Sequence, residues 1–313
     1  MKERSEPSPL LIVLAFAAVY LIWGSTYLGI AIAIKSIPPM VMGGTRFLVA
    51  GTILFLWCYL VRKDRSQLKD WKQDGVIGAL MIFGGNGAVV WVEQYLPSGL
   101  VAVAVASIPI WLAVLDRGNW RVTFSRAMPV IGLIVGFAGV VFLFTSGQKI
   151  PLNNSPLAAI SIPVLILGNI CWAMGTLYSK KVVSTTSVFM RVSVQMITGG
   201  LIYAVAGLFT GEWRSFDTEG MELQSLLALL YLIVFGSLVA YLAYIWLLTV
   251  RPAAQVGTYA YVNPAVAVFL GFIFNNEQLT LATGGALVLI LGGVVLINLS
   301  YQRNKKPAIQ QQQ

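Results

Sequence analysis

The sequence contains no histidine, only two cysteines in 313 residues, and 11% charged side chains. Without histidine there is no His-containing zinc site, no Ser-His-Asp triad and no Cys-His dyad. Cys58 and Cys171 each lie in an apolar run. They read as small packing residues rather than a disulfide or a redox pair. No G-x-x-x-x-G-K-[ST] loop is present, so no ATP site is expected. No Asp/Glu cluster that would hold a metal is visible, and no cofactor is implied. A soluble domain carries about a quarter charged residues, so this chain cannot clothe a water-facing surface. Disorder is excluded as well, because it needs low hydrophobicity and high charge.

What is there is apolar. Hydrophobic residues make up 58% of the chain and mean hydropathy is +0.79. The fold class predicted is an all-α polytopic membrane protein, with the lipid bilayer as its surroundings. A helix needs about 20 mostly apolar residues to cross the hydrocarbon core. Ten such runs follow one another, at roughly 10–34, 39–61, 75–92, 98–116, 127–146, 157–178, 187–210, 223–249, 253–275 and 279–301. The first reads as a helix, not as a removed signal peptide, because no small-residue cleavage site follows it.

The net charge of +9 raises the possibility of a nucleic-acid partner. The distribution of the cations argues against one. Sixteen Lys and Arg fall in the termini and alternate loops on one side, three (Lys35, Lys149, Arg214) on the other, and Arg46 and Arg191 within or at the edge of spans. Cytoplasmic loops carry such an excess. Both termini are therefore expected in the cytoplasm, and no nucleic acid is expected as a partner.

The chain also repeats itself. Trp91, Pro97 and Pro109 recur 155 residues later as Trp246, Pro252 and Pro264. Trp23 recurs as Trp172 at an offset of 149, Arg46 aligns with Gln195 at the same offset, and Phe83-Gly84 recurs as Phe235-Gly236 at 152. Such ordered, drifting offsets point to a duplication. The expected organisation is a cytoplasmic segment at 1–9, a repeat at 10–146, a second at 157–301 and a cytoplasmic tail at 302–313. Five spans is an odd number, so the second copy would enter the membrane inverted, a plan used by secondary transporters. Pro109 and Pro264 interrupt matched spans and are candidate gating or cavity-lining positions, the plainer reading being a packing kink. Gly132, Gly136 and Gly139 in span 5, with Gly284, Gly285, Gly292 and Gly293 in span 10, predict close helix packing. That packing serves either the monomer or a weak homodimer.

Polar residues inside spans are costly and point to function. Trp23, Thr26 and Tyr27, with Ser25 beside them, form one group in span 1. Trp172 and Thr176 stack in span 6, Asn86 lies in span 3, and Tyr259 and Asn263 precede Pro264. These are the candidate solute-binding residues: an aromatic-walled pocket with hydroxyls and amides suits a small organic solute. Interfacial belting or core packing is the alternative for each Trp and Tyr, and for Tyr241 and Tyr244 in span 8. Arg46 and Glu93 are candidates for gating or coupling, against snorkelling and helix-packing roles. No carboxylate is placed clearly at the midplane, so obligate proton coupling is not expected.

Longer strings carry a family resemblance. They are Ile22-Trp23-Gly24-Ser25-Thr26-Tyr27-Leu28, Gly85-Asn86-Gly87, Glu93-Gln94-Tyr95-Leu96-Pro97-Ser98-Gly99, Ile108-Pro109-Ile110-Trp111 and Tyr259-Ala260-Tyr261-Val262-Asn263-Pro264, with Glu277-Gln278-Leu279-Thr280 after it. Together they resemble the EamA-type branch of the drug/metabolite transporter superfamily, most closely its YedA-like inner-membrane members. The resemblance covers about residues 10–300. It implies ten transmembrane helices in two inverted five-helix EamA repeats, an inner-membrane location, and export of amino acids, other metabolites or drugs. It places Trp23, Ser25, Thr26, Asn86, Tyr259 and Asn263 near the solute path. One departure stands out. Many relatives carry a Glu-containing turn after the proline helix in both halves; here the first half reads Arg117-Gly118-Asn119-Trp120-Arg121.

The expectation is a secondary transporter or facilitator for a small-molecule solute, working by alternating access, and not an enzyme. The competing expectation is a non-transporting receptor or assembly subunit of the same fold.

Overall fold

The computed structural model describes residues 8–96, 98–145, 156–275 and 280–303, and every regular element among them is helical. Pro97, Lys149 and Glu277 lie outside the described residues. The long elements are α1 (Pro9–Ala33), α2 (Pro39–Val61), α3 (Leu68–Val92), α4 (Ser98–Val105), α5 (Ile108–Leu115) and α6 (Ala127–Thr145). The second half has α7 (Pro156–Lys181), α8 (Val188–Phe209), α9 (Leu223–Val250), the single turn α10 (Ala253–Val256), α11 (Tyr259–Asn275) and α12 (Leu281–Arg303).

Local chemistry sets several boundaries. Ser8 caps α1 by accepting from the Leu11 amide at 3.2 Å, and Pro9 occupies the first turn, where a missing N–H leaves nothing unpaired. Ser187 caps α8 in the same way through Met190. The third span was expected from 75, but α3 begins at Leu68. Its first turns carry Asp70 and Asp74 and still form helix, because partners on the second half satisfy both carboxylates.

Seven of the described helices, α1, α2, α3, α7, α8, α9 and α12, are long and apolar enough to cross a bilayer. The expected count of ten is not reached by length and composition among the described residues. The reason is visible in the shorter members. The apolar stretch of α6, Ala127–Leu143, rises about 25 Å against a hydrocarbon core of about 30 Å. The fourth and ninth apolar runs, expected to be interrupted at Pro109 and Pro264, are broken ahead of each proline, at Ala106-Ser107 and at Gly257-Thr258.

The two breaks are held alike. Asn169 of α7 donates through Nδ2 to the Ala104 carbonyl at 2.7 Å and to Ser107 Oγ at 3.0 Å. The Tyr20 hydroxyl of α1 pairs with Thr258 Oγ1 at 2.6 Å, and Thr258 donates to the Gln255 carbonyl. Interrupted backbone inside an apolar bundle must find such partners. Tyr20 and Asn169 are themselves 149 residues apart, the offset that relates Trp23 to Trp172.

Packing follows the same correspondence. α2 lies along α8, and α6 along α12; α3 packs on α7 as α9 packs on α1; α5 packs on α7 as α11 packs on α1. Glycine permits the closest of these approaches. A Cβ added at Gly293 would sit 2.5 Å from the Gly136 backbone, and one at Gly132 would sit 3.0 Å from the Gly293 carbonyl oxygen. Gly284 and Gly292, by contrast, face open space. On α2 and α8 the same device recurs: a Cβ at Gly200 would meet the Leu48 amide nitrogen at 2.8 Å. Large apolar side chains such as Leu14, Leu21 and Leu28 of α1 and Leu201, Val205 and Leu208 of α8 point outward, as a lipid-facing belt requires.

Candidate functional site

Two helices are wound loosely in the middle. α3 is π-helical over Ala79–Asn86 and α9 over Leu232–Tyr241. Such widened turns recur at functional sites. Here they turn Gly85, Asn86, Gly236 and Tyr241 onto the wall of one internal cavity with about 630 Å³ of empty space, its open side included.

Aromatic rings form a cluster at its wall. The Trp23 ring meets Trp172 edge to face with centroids 5.5 Å apart, Tyr259 edge to face at 4.8 Å, and Tyr244 at 5.0 Å. Trp23 Nε1 donates to the Gly236 carbonyl at 3.1 Å, which fixes the indole between α1 and α9. Tyr244 is locked by Thr176 at 2.8 Å, and Tyr241 donates to Gln195 Oε1 at 2.8 Å. The same lining includes Arg46 of α2, which is 3% exposed. Its Nε donates to Ser237 Oγ at 2.9 Å, and its guanidinium stacks over Phe47 with 4.6 Å to the ring centroid. Asn86 accepts from the Tyr203 hydroxyl at 3.2 Å.

Of the candidate binding residues, the structure brings Trp23, Thr26, Tyr27, Asn86, Trp172, Tyr259 and Asn263 onto one wall. Two are placed elsewhere. Ser25 donates to the Ile22 carbonyl of its own helix and pairs with the Tyr231 hydroxyl at 2.5 Å, outside the cavity lining. Thr176 lies behind Tyr244 and supports it. Of the gating candidates, only Arg46 lines the cavity. Glu93 stands outside the wall with both carboxyl oxygens buried and unpartnered. Pro109 sits in the first turn of α5 and Pro264 inside α11; both are buried, and their neighbours Ile108 and Asn263 face the cavity instead. The sequence reading passed over Phe47, Asn169 and Gly236. Asn169 had a visible signal, an amide alone in the apolar run Leu165–Ile170.

Comparison with known proteins decides the family. The model of the EamA-like transporter family matches residues 10–145 and again 159–299. The chain belongs to the EamA-like transporter family. It is 35% identical over 297 residues to the uncharacterized inner membrane transporter YedA of Escherichia coli (strain K12), covering 94% of this chain and 93% of that one. It is 27% identical over 299 residues to the uncharacterized transporter YvbV of Bacillus subtilis (strain 168), covering 95% and 94%. A solved crystal structure of 15% identity aligns over 96% of this chain and all of the other with a TM-score of 0.72, which supports the fold alone. This EamA-like chain is accordingly a multi-pass membrane transporter.

This EamA-like transporter also has a polar cluster that sequence reasoning missed. Asp74 of α3 is fully buried and pairs with Arg191 of α8 at 3.1 Å; Gln195 Nε2 donates to the same carboxylate at 2.8 Å. Gln195 in turn accepts from Tyr241 on the cavity wall. Nearer the helix ends, Thr186 donates to Asp70 at 2.5 Å and Ser187 to Asp64 at 2.7 Å. Asp64 lies in the connection between α2 and α3. Its carboxyl is held below the usual range, first by the Ser187 hydroxyl and, against slight burial, by Arg62. Each link joins the first half of the EamA chain to the second. They lie toward the α2–α3 connection, whereas the cavity draws on the opposite ends of α1 and α3. The pattern was hard to read because Asp74 and Arg191 sit 117 residues apart, each at the polar edge of a span.

Proposed function

We propose that the protein is a secondary transporter or facilitator that exports a small organic solute from the cytoplasm by alternating access. Its ten spans form two inverted five-helix repeats, with both termini in the cytoplasm. The observation that carries the reading is the cavity at the meeting of equivalent helices, walled by Trp23 and Trp172 from matched positions. The corresponding π-helical turns, the matched helix breaks and the paired contacts support inversion. The Lys/Arg excess in the α2–α3 connection supports its placement in the cytoplasm. On that orientation the Asp74–Arg191 cluster would hold the cytoplasmic ends together, which supports reading this state as outward-facing.

Counterflow in proteoliposomes tests the proposal. Vesicles are loaded with mixed amino acids and small metabolites and offered labelled solutes singly. Protein-dependent accumulation of any of them is the expected result. No accumulation of any solute by folded protein would remove the transport reading and favour a non-transporting receptor or assembly subunit.

A further inference from the structure

The cavity wall is unbalanced in charge and in hydrogen-bonding groups. Arg46 is its one charged lining residue among the described residues, and no Asp or Glu lines it. The ion pairs among the described residues are Arg62–Asp64 and Arg191–Asp74, so Arg46 is in no ion pair; Glu93, buried outside the lining, is the acidic side chain whose charge reaches it. Its Nε is used by Ser237, but its Nη1 is buried and unpartnered. Trp172 Nε1 and both amide atoms of Asn263 are buried and unpartnered on the same wall. Each stands beside a tyrosine hydroxyl, Tyr244 and Tyr27 respectively, outside hydrogen-bonding geometry. Unpaired buried donors are expensive, and a buried cation without a partner is more so. Within the lining the free groups are three donors, on Arg46, Trp172 and Asn263, and one acceptor, the Asn263 side-chain oxygen.

We infer that the cavity takes organic anions: a carboxylate head is held by Arg46 with support from Trp172 and Asn263, and an apolar or aromatic body lies against Trp23 and Tyr259. This rests on the transport reading and deepens it by naming the substrate class. A guanidinium matches a carboxylate with two parallel N–H groups, which an ammonium cannot do. The Phe47 ring beneath the guanidinium holds its plane in place. Export of a monoanion also needs no coupling ion: an inside-negative potential drives it outward by about 2.3 kcal/mol per 100 mV. That fits a chain with no ATP loop.

The test uses three probes that share one body: phenylacetate, phenylacetamide and phenethylamine. Each is titrated against the purified full-length protein by thermal shift, which a ligand of the native state must raise. Each is then offered in counterflow. Phenylacetate is expected to bind at least about tenfold more tightly than the amide or the amine. Arg46→Gln should remove that preference, and Arg46→Lys should keep part of it. If Arg46→Gln does not fold, the head-group comparison on the native protein decides alone. Equal or tighter binding of the amide or the amine overturns the inference, as does an unchanged preference in Arg46→Gln. So does failure of all three probes in protein that carries other solutes. Flux of neutral or cationic solutes only would remove the anion class and leave transport standing. No flux of any solute would remove transport itself.

Discussion

Trp23 and Trp172, 149 residues apart and at matched places in the two halves, meet edge to face with ring centroids 5.5 Å apart. The contact puts equivalent residues of the duplicated chain against each other at the cavity wall. Edge-to-face aromatic contacts of this kind add about 0.5–1.5 kcal/mol beyond burial. The rest of the site is arranged around that pair.

The first prediction separates wall residues from their neighbours. Asn263→Ala should lower solute flux by at least about tenfold, equivalent to 1.4 kcal/mol, with folded protein still in the membrane. Trp23→Phe keeps a ring but loses the bond to the Gly236 carbonyl, and should also impair flux. Ser25→Ala should transport normally, because its hydroxyl is engaged with Ile22 and Tyr231. Counterflow on the three variants at matched protein amounts checks this. Loss in Ser25→Ala with normal flux in Asn263→Ala would reverse the assignment.

A second prediction concerns the buried pair. Arg191→Met alone leaves Asp74 buried without its cation and should destabilise the protein by about 3–5 kcal/mol. Adding Asp74→Leu should recover most of that loss, because an apolar pair of similar size needs no solvation. Thermal unfolding of single and double variants in one detergent measures it. A double variant no more stable than Arg191→Met would contradict the coupling.

The glycines give a third. Gly293→Ala places a methyl group 2.5 Å from the Gly136 backbone, which must move, and should cost about 1–3 kcal/mol. Gly292→Ala, one residue earlier and facing open space, should be neutral or slightly stabilising through helix propensity. Equal melting temperatures for the two would mean that α6 and α12 do not pack as closely as described.

The fourth is electrical. In vesicles given a potassium diffusion potential, inside-negative polarity should speed phenylacetate exit and leave phenylacetamide unaffected. Equal phenylacetate rates at both polarities would contradict export of an uncompensated anion.

Much of this was legible in the residues. The apolar runs located nearly every helix, because a span must be apolar regardless of its neighbours. The Trp23, Trp172, Tyr259 and Asn263 set was legible because polar and aromatic groups inside such runs are conspicuous. Ser25 and Thr176 belonged to the same strings, but which way each hydroxyl turns depends on Tyr231 and Tyr244, far along the chain. Asp74 escaped notice for a similar reason. A carboxylate near a span end looks solvated until Arg191 is seen beside it. The exact place of the break before Pro109 was hidden too, since Asn169, which satisfies it, comes from another helix.

The Asp74–Arg191 pair has no counterpart in the other half. The position 152 after Asp74 is Leu226, and that 149 before Arg191 is Met42. Two identical halves would give end states of equal free energy, and an empty carrier would idle evenly between them. An ion pair on one side only unbalances that exchange. A difference of about 1.4 kcal/mol already means a tenfold excess of one state. Under the proposed orientation the empty protein would rest with its mouth away from the cytoplasm. The step that limits its turnover would then be the return to collect the next solute, not the release of the last one.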